Sequence, residues 1–366
     1  MIVVPDIDEP FTPLVDGLLV DVYEAKHNIL AFLNTLPTMF QGNNTPGNKS
    51  SVFGSALISS LDALTNIGGE VNIFQSQLPN QGLGALTERD PAPGGTASVQ
   101  ERDRALYAAA NTWYANTAEA FVDAGVGINI FMFPFKYIDV GTLASLSQLT
   151  GGESHFFPKF DPGKHALKLR GNLERIVTRS VGYNSTVKIR CSEGFHVDEH
   201  YGTFHQRNEH DLETGIVHSD NCIGVTLKHD ASSLTKGWSS LASHAISTAK
   251  NNENVISYAS QGIDETFYIQ AAILYTSNDG KRLVRVINAA TKLSTSPSQV
   301  FRFADMDAGA ILLYKQSAAK IFSKPLGKIR ESLIDRCVQV LLAYRKQCAQ
   351  ANSGSQVSFM IYNKKL

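Results

Sequence analysis

The run Gly127-Ile128-Asn129-Ile130-Phe131-Met132-Phe133 constrains the fold of this chain more than any other stretch. It lacks the alternation of a half-solvated strand, so a strand here is buried on both faces, as in a parallel sheet covered by helices. Parallel strands need crossover segments, and the flanks supply them. Leu18-Leu19-Val20-Asp21-Val22 reads as a strand, and Glu24–Met39 as a helix with Ile29, Leu30, Leu33 and Leu36 on one face. Gly42–Ser50 is polar and turn-rich, a loop. A helix over Val52–Leu64 leads into the strand-like Val71-Asn72-Ile73-Phe74, and an alanine-rich helix runs from Arg102 to Asp123. A short helix over Thr142–Leu149 and the strand His155-Phe156-Phe157 complete an alternating pattern that predicts a layered α/β domain.

From about residue 183 the period changes to two. Thr186–Arg190, Phe267–Ala271 and Arg282–Val286 alternate, and Asn278-Asp279-Gly280 between the last two is a hairpin signal. After Ser296-Pro297 the chain reads as helical: Asp305–Phe322, a break at Pro325, then Leu326–Cys348 with Leu333, Ile334, Val338, Leu341 and Leu342 as one apolar stripe. The expected organisation is an α/β trunk over residues 1–182, a β domain over 183–296 and a helical domain over 297–366.

A chain of 366 residues is long enough for these three parts. Its net charge of −1 gives no whole-protein field to draw it onto nucleic acid, so charge-driven binding must be local. Cys191, Cys222, Cys337 and Cys348 lie far apart with no CxxC pair, which points to a reducing compartment. The sequons at Asn43, Asn48 and Asn184 then read as chance, since no signal peptide stands before them. No apolar run approaches the ~20 residues of a membrane span.

Four motifs invite a chemical reading. Gly82-Leu83-Gly84 follows a strand but lacks the rest of a dinucleotide fingerprint, and Glu88, Asp90, Pro91 and Pro93 after it suit a surface turn rather than a phosphate cradle. His196-Val197-Asp198-Glu199-His200 spells the H-x-x-E-H zinc signature, which requires a helix. Its flanks read as strand and turn, and in a strand the two histidines would stand about 13 Å apart, too far for one zinc. Ser233-Leu234-Thr235-Lys236 matches S-x-x-K but has no partner motif. The D-x-S-x-S metal motif of integrin-type domains is absent from residues 1–160.

One local charge signal stands out. Lys164, Lys168, Arg170, Arg175, Arg179, Lys188 and Arg190 face a single acid, Glu174, within 27 residues. A buried stripe of Leu169, Leu173, Ile176 and Val177 would turn most of these cations outward, and Lys188 and Arg190, two apart in a strand, share a face. The functional reading is a site for acidic partners; sparse aromatics argue against nucleic acid.

Several ordered stretches together resemble one family, the inner-layer cargo adaptor of the COPII vesicle coat. They are Asp16–Val20 through Leu33–Phe40, Gln75-Ser76-Gln77-Leu78-Pro79 with Gly82–Leu86, Lys188-Ile189-Arg190-Cys191, Ala272–Ser277 with Arg285-Val286, and Leu341–Arg345. The resemblance implies a von Willebrand A-like trunk without its metal site, a β-sandwich or barrel domain, and an all-helical domain. It also implies a fragment with no cofactor of its own: the family's zinc finger would precede Met1 and its gelsolin-like module would follow Leu366.

The function implied is non-enzymatic: selection of cargo by its cytosolic sorting signals during budding from the endoplasmic reticulum towards the Golgi. The chain would be cytoplasmic and peripheral on the reticulum membrane and on COPII vesicles. Implied partners are the GTPase-activating coat subunit through the trunk, tails of cargo and fusion membrane proteins, anionic membrane, and indirectly a small GTPase and the outer coat layer. Nucleic acid is not among them. A cargo-signal site of the family falls on Lys188, Arg190 and Ile273. Lys188 replaces an arginine, keeping the charge but losing the bidentate fork. The alternatives are the GTPase-activating sister subunit and, through the H-x-x-E-H residues, a zinc hydrolase.

Overall fold

The computed structural model describes residues 4–12, 17–39, 50–89, 99–192, 194–229, 266–292 and 297–348. The Ser233–Lys236 motif, residues 42–49 of the expected loop and residues 90–93 lie outside that set. The described residues fall into two compact units. One draws on Met1–Arg190, Gly202–Gly224 and Gln270–Asn288, the other on Cys191–Tyr201, Val225–Ile269 and Ala289–Leu366.

The first unit opens with helices α1 (Lys26–Met39) and α2 (Phe53–Leu64), strand β1 (Gly69–Gln75), helices α3 (Val99–Tyr107) and α4 (Trp113–Asp123), and strand β2 (Val126–Met132). Helix α5 (Val140–Thr150), strand β3 (Ser154–Phe156) and helix α6 (Pro162–Thr178) follow. The three strands form a parallel sheet in the order β1-β2-β3, with Phe74, Phe131 and His155 in register. Every residue of β2 is buried, as its unbroken apolar run requires. Ile128, Ile130 and Met132 on one face join Phe53 and Leu57 of α2, Tyr114 and Phe121 of α4, and Leu143 and Leu146 of α5. On the other face Phe131 packs with Phe157, Ile176, Leu169 and Leu173.

Three expectations need correction. Leu18–Val22 is not a strand. Asp21 instead caps a turn, its carboxylate accepting from the backbone N–H of Tyr23 and Glu24 while its carbonyl accepts from Ala25, and this launches α1. The helix expected over Arg102–Asp123 is two helices. Arg89 draws the carbonyls of Ala105, Leu106 and Ala108 into its guanidinium, and Asn111 then receives the N–H of Trp113 to start α4. Val177 is 64% exposed, so the buried stripe of α6 stops at Ile176.

The glycine loop is a turn packed on an aromatic ring. Gly84 has φ +64°, a Cβ there would lie 2.4 Å from the ring of Trp113, and its carbonyl accepts from the Tyr114 hydroxyl at 2.9 Å.

A five-stranded sheet follows. Strands β4 (Val181–Cys191), β5 (Phe195–Tyr201), β6 (His205–Gln206), β7 (Asp211–His218), β8 (Gly224–His229), β9 (Thr266–Thr276) and β10 (Arg282–Lys292) come in chain order. The larger sheet runs β10-β9-β4-β7-β6, while β5 and β8 pair separately. The hairpin joining β9 and β10 turns at Gly280, φ +76°. Within the first unit β7 lies hard against the start of β2. A Cβ on Gly215 would meet the Val126 carbonyl oxygen at 2.0 Å, so only glycine lets the two backbones approach this closely.

In the second unit the rings of Phe195 and Phe267 lie 4.6 Å apart. Helix α7 (Pro297–Phe303) precedes α8 (Met306–Ala319), which Asp305 caps by accepting from the N–H of Asp307 and Ala308, and a 3₁₀ turn (Lys320–Phe322) leads to α9 (Leu326–Gln347). Only Ile329 of α9 is buried; Ile334, Val338, Leu341 and Leu342 of the expected stripe are exposed. No helix among the described residues is long and apolar enough to cross a membrane.

Candidate functional site

Strand β4 carries the two expected cations. Its antiparallel register with β7 sets Lys188 opposite Asp211, and Lys188 Nζ reaches Asp211 Oδ1 at 2.7 Å. The hydrogen bond from Lys188 holds the Asp211 carboxyl below its ordinary range. Arg190, two residues on, emerges from the same face and extends over β9, where its Nη1 stands 3.5 Å from Gln270 Oε1. The other amide end of Gln270 donates to Asn288 at 3.0 Å. The face therefore presents one exposed guanidinium and one lysine that already shares its charge.

Ile273 lies on the neighbouring strand, half-buried. It is three residues from Gln270, so strand alternation turns it to the reverse face. The structure thus brings Lys188 and Arg190 together and sets Ile273 behind them. Asp211 and Gln270 were missed in the sequence, because the contacts that place them cross between strands far apart in the chain.

Most of the basic run between Lys164 and Arg190 meets acids from elsewhere. Lys164 pairs with Asp161 at 3.6 Å, and Arg175 Nε donates to Asp220 Oδ2 at 2.9 Å. Lys168 sits 5.3 Å from the centre of the Phe157 ring. Arg179 is not outward-facing at all: its side chain is 4% exposed, bonded to Glu153 and within 3.8 Å of Glu70 and 3.7 Å of Asp220. Asn129, buried in β2, donates to both Glu70 and Asn72 and accepts from the N–H of Glu153.

Glu153, His218 and Asp220 bring three possible metal-ligand atoms within 4.8 Å of one another. The Arg179 guanidinium stands among the same groups and supplies the positive charge that a metal would. The His155 ring, and after it the Arg179 guanidinium, hold the Glu153 carboxyl down at about 2 against the opposing effect of burial. Burial, helped by Arg179, pushes the His218 imidazole down, so the ring is neutral at pH 7. Its Nε2 is buried without a hydrogen-bond partner, 3.7 Å from Glu153. This is an internal ion-pair network tying α6, β3 and β7. His196 and His200 lie in strand β5, not on a helix, and none of the four cysteines is in a disulfide.

A parallel three-stranded sheet with helices on both faces, a β-sheet seated against it and a helical tail define a multidomain α/β, β and α protein. Residues 1–177 match the model of the Sec23/Sec24 trunk domain, 182–294 that of the Sec23/Sec24 beta-sandwich domain, and 305–362 that of the Sec23/Sec24 helical domain. The chain belongs to the Sec23/Sec24 family. It is 30% identical over 358 residues to "Protein transport protein SEC24 B" of Arabidopsis thaliana, covering 98% of this chain and 30% of that protein. It is 27% identical over 360 residues to human "Protein transport protein Sec24C", again covering 98% of this chain and 30% of the relative. The "Crystal structure of the human COPII-coat protein Sec24c" superposes with a TM-score of 0.75 at 27% identity, over 93% of this chain and 42% of that one. The chain spans about a third of the length of the curated relatives it matches.

Proposed function

We propose that the chain acts as a non-enzymatic subunit of the COPII vesicle coat, selecting membrane cargo by sorting signals on cytosolic tails. The observation that carries this reading is the pair Lys188 and Arg190, side by side on one face of the family's beta-sandwich region. The Sec24 names of the relatives favour the adaptor over the GTPase-activating sister subunit, and an assay of GTP hydrolysis on the small GTPase separates the two. In this reading the chain is cytoplasmic, peripheral on the endoplasmic reticulum membrane and its vesicles, and held to the GTPase-activating subunit through the trunk. Contacts with anionic membrane, and indirect ones with the small GTPase and outer coat, belong to the same proposal. No cofactor takes part.

An acidic tail places its carboxylates on Arg190 and on Lys188, displacing Asp211 from the lysine. Ile273 contributes from behind by packing under the strands. A charge-assisted hydrogen bond is worth about 1.5–3 kcal/mol net, so two of them give affinity between roughly millimolar and tens of micromolar strength, which suits cargo that must later be released. Binding weakens with salt, since exposed charges are screened over ~8 Å at physiological strength.

The test is Lys188→Glu with Arg190→Glu, with folding checked by circular dichroism and tail-peptide binding measured by calorimetry. A loss of about tenfold or more is expected. Asp211→Asn, which frees Lys188, is expected to strengthen binding instead. Unchanged binding by the folded double variant overturns the site.

A further inference from the structure

The helical region holds a second cationic surface that the cargo reading does not use. At the junction of α8, the 3₁₀ turn and α9 there is a cavity of about 350 Å³ lined by Ser317, Lys320, Lys324, Lys328, Ser332 and Arg336, with Ile329 and Leu333 among its apolar walls. The spacing explains the convergence. Lys328, Ser332 and Arg336 recur every four residues along one face of α9, and the N–H of Lys324 donates to the Lys320 carbonyl at 2.8 Å, which continues the same step backwards through the turn.

Four cations line this cavity and no acid does. Glu331, outside the lining, pairs with Lys328 at 3.0 Å, and Arg336 Nη1 donates to Gln316 at 2.6 Å, bracing α9 on α8. Like charges this close repel, and an anion between them relieves the repulsion. The entry of α9 adds to the same field: Pro325 at its N-cap offers no side-chain acceptor, and the helix begins there with its positive end.

We propose that this cavity binds a phosphate monoester carried on a protein segment, a phosphoserine or phosphothreonine. A dianionic phosphate with three acceptor oxygens matches several lysines and the Ser332 hydroxyl better than a single carboxylate does; the Ser317 hydroxyl already donates to the Leu313 carbonyl at 2.7 Å. The apolar wall distinguishes a peptide from a bare inositol phosphate headgroup. Leu333, half-buried on that wall, offers nothing to a polyhydroxylated ring, whereas a side chain next to a phosphoserine can pack against it. The proposal stands apart from the Lys188 and Arg190 site.

The probe is a degenerate library of fluorescent phosphoserine peptides, tested by anisotropy against the full chain beside its dephosphorylated counterpart. Selective binding of phosphorylated members, competed by inorganic phosphate, is the expected result. Lys320→Gln with Lys324→Gln should weaken it about tenfold or more, whereas Lys320→Arg with Lys324→Arg should retain it. The glutamine variant should still bind acidic cargo tails, which keeps failure here distinct from failure of the cargo reading and reports that the protein is folded. The proposal is overturned by equal binding of both libraries, by no binding of either, or by phosphopeptide binding that the glutamine variant leaves intact. Lysine-dependent binding only to phosphatidylcholine vesicles containing phosphatidylinositol 4-phosphate, with no phosphopeptide bound, assigns the cavity to lipid and also overturns it.

Discussion

Arg179 shows how a sequence-level charge run divides once the chain folds. Seven cations stand close together in the chain, yet this one is enclosed by Glu70, Glu153 and Asp220. Removing one partner of a buried ion pair leaves uncompensated charge, which costs about 3–5 kcal/mol. Arg179→Ala is therefore expected to lower the urea midpoint strongly, while Arg170→Ala on the exposed side of α6 should change it little. The same cluster gives the protein an acid limit. The folded His218 titrates below its unfolded value of 6.5, so the fold takes up fewer protons there and stability falls as pH drops below about 6.5. Glu153, held near 2 against an ordinary 4.5, adds a second loss between those values. Melting temperatures from pH 7.5 to 5.5 should decline, and His218→Gln should flatten that decline. An equally steep decline in the variant would refute the assignment.

At the scale of elements, the seam between β2 and β7 is set by Gly215, whose Cβ position is already filled by the Val126 carbonyl. Gly215→Ala must push the strands apart, and a loss of roughly 1–3 kcal/mol or more is expected in chemical denaturation. Elements with a strong local pattern were legible in the sequence: β2 from its unbroken apolar run, α9 from its periodicity, and the β9–β10 hairpin from Asn278-Asp279-Gly280. What stayed hidden depends on distant partners. Nothing near Leu18–Val22 announces that Asp21 will cap a helix, and nothing in an alanine-rich helix announces that Arg89 will take its carbonyls. The site was half legible for the same reason. Strand parity put Lys188 and Arg190 on one face, but the Asp211 that shares the Lys188 charge comes from another strand.

On the scale of the whole molecule, the proposed pairing with a GTPase-activating subunit assigns its main surface to the trunk. Pull-down of a Sec23-type partner by the full chain should survive Lys188→Glu with Arg190→Glu and fail when charges are placed on the exposed apolar residues of the trunk, such as Phe74 and Leu30. Leu30 is 51% exposed and its substitution leaves the core intact; Phe74 is 54% exposed but stacks on Phe131, so its variant is compared only after circular dichroism shows it folded. Capture that persists in such variants moves the interface elsewhere.

The parallel pairing of β1 with β2 also sets a clock. Gly69 meets Val126 in the register, so β1 must wait for 57 further residues before its partner exists. At about 5–20 residues per second of synthesis, that interval is roughly 3–11 s. An isolated turn or hairpin closes in microseconds, so for those seconds an apolar strand with an open edge is held back by translation and not by folding chemistry. The nascent trunk then carries an unpaired strand edge, for a duration written into the distance between two strands.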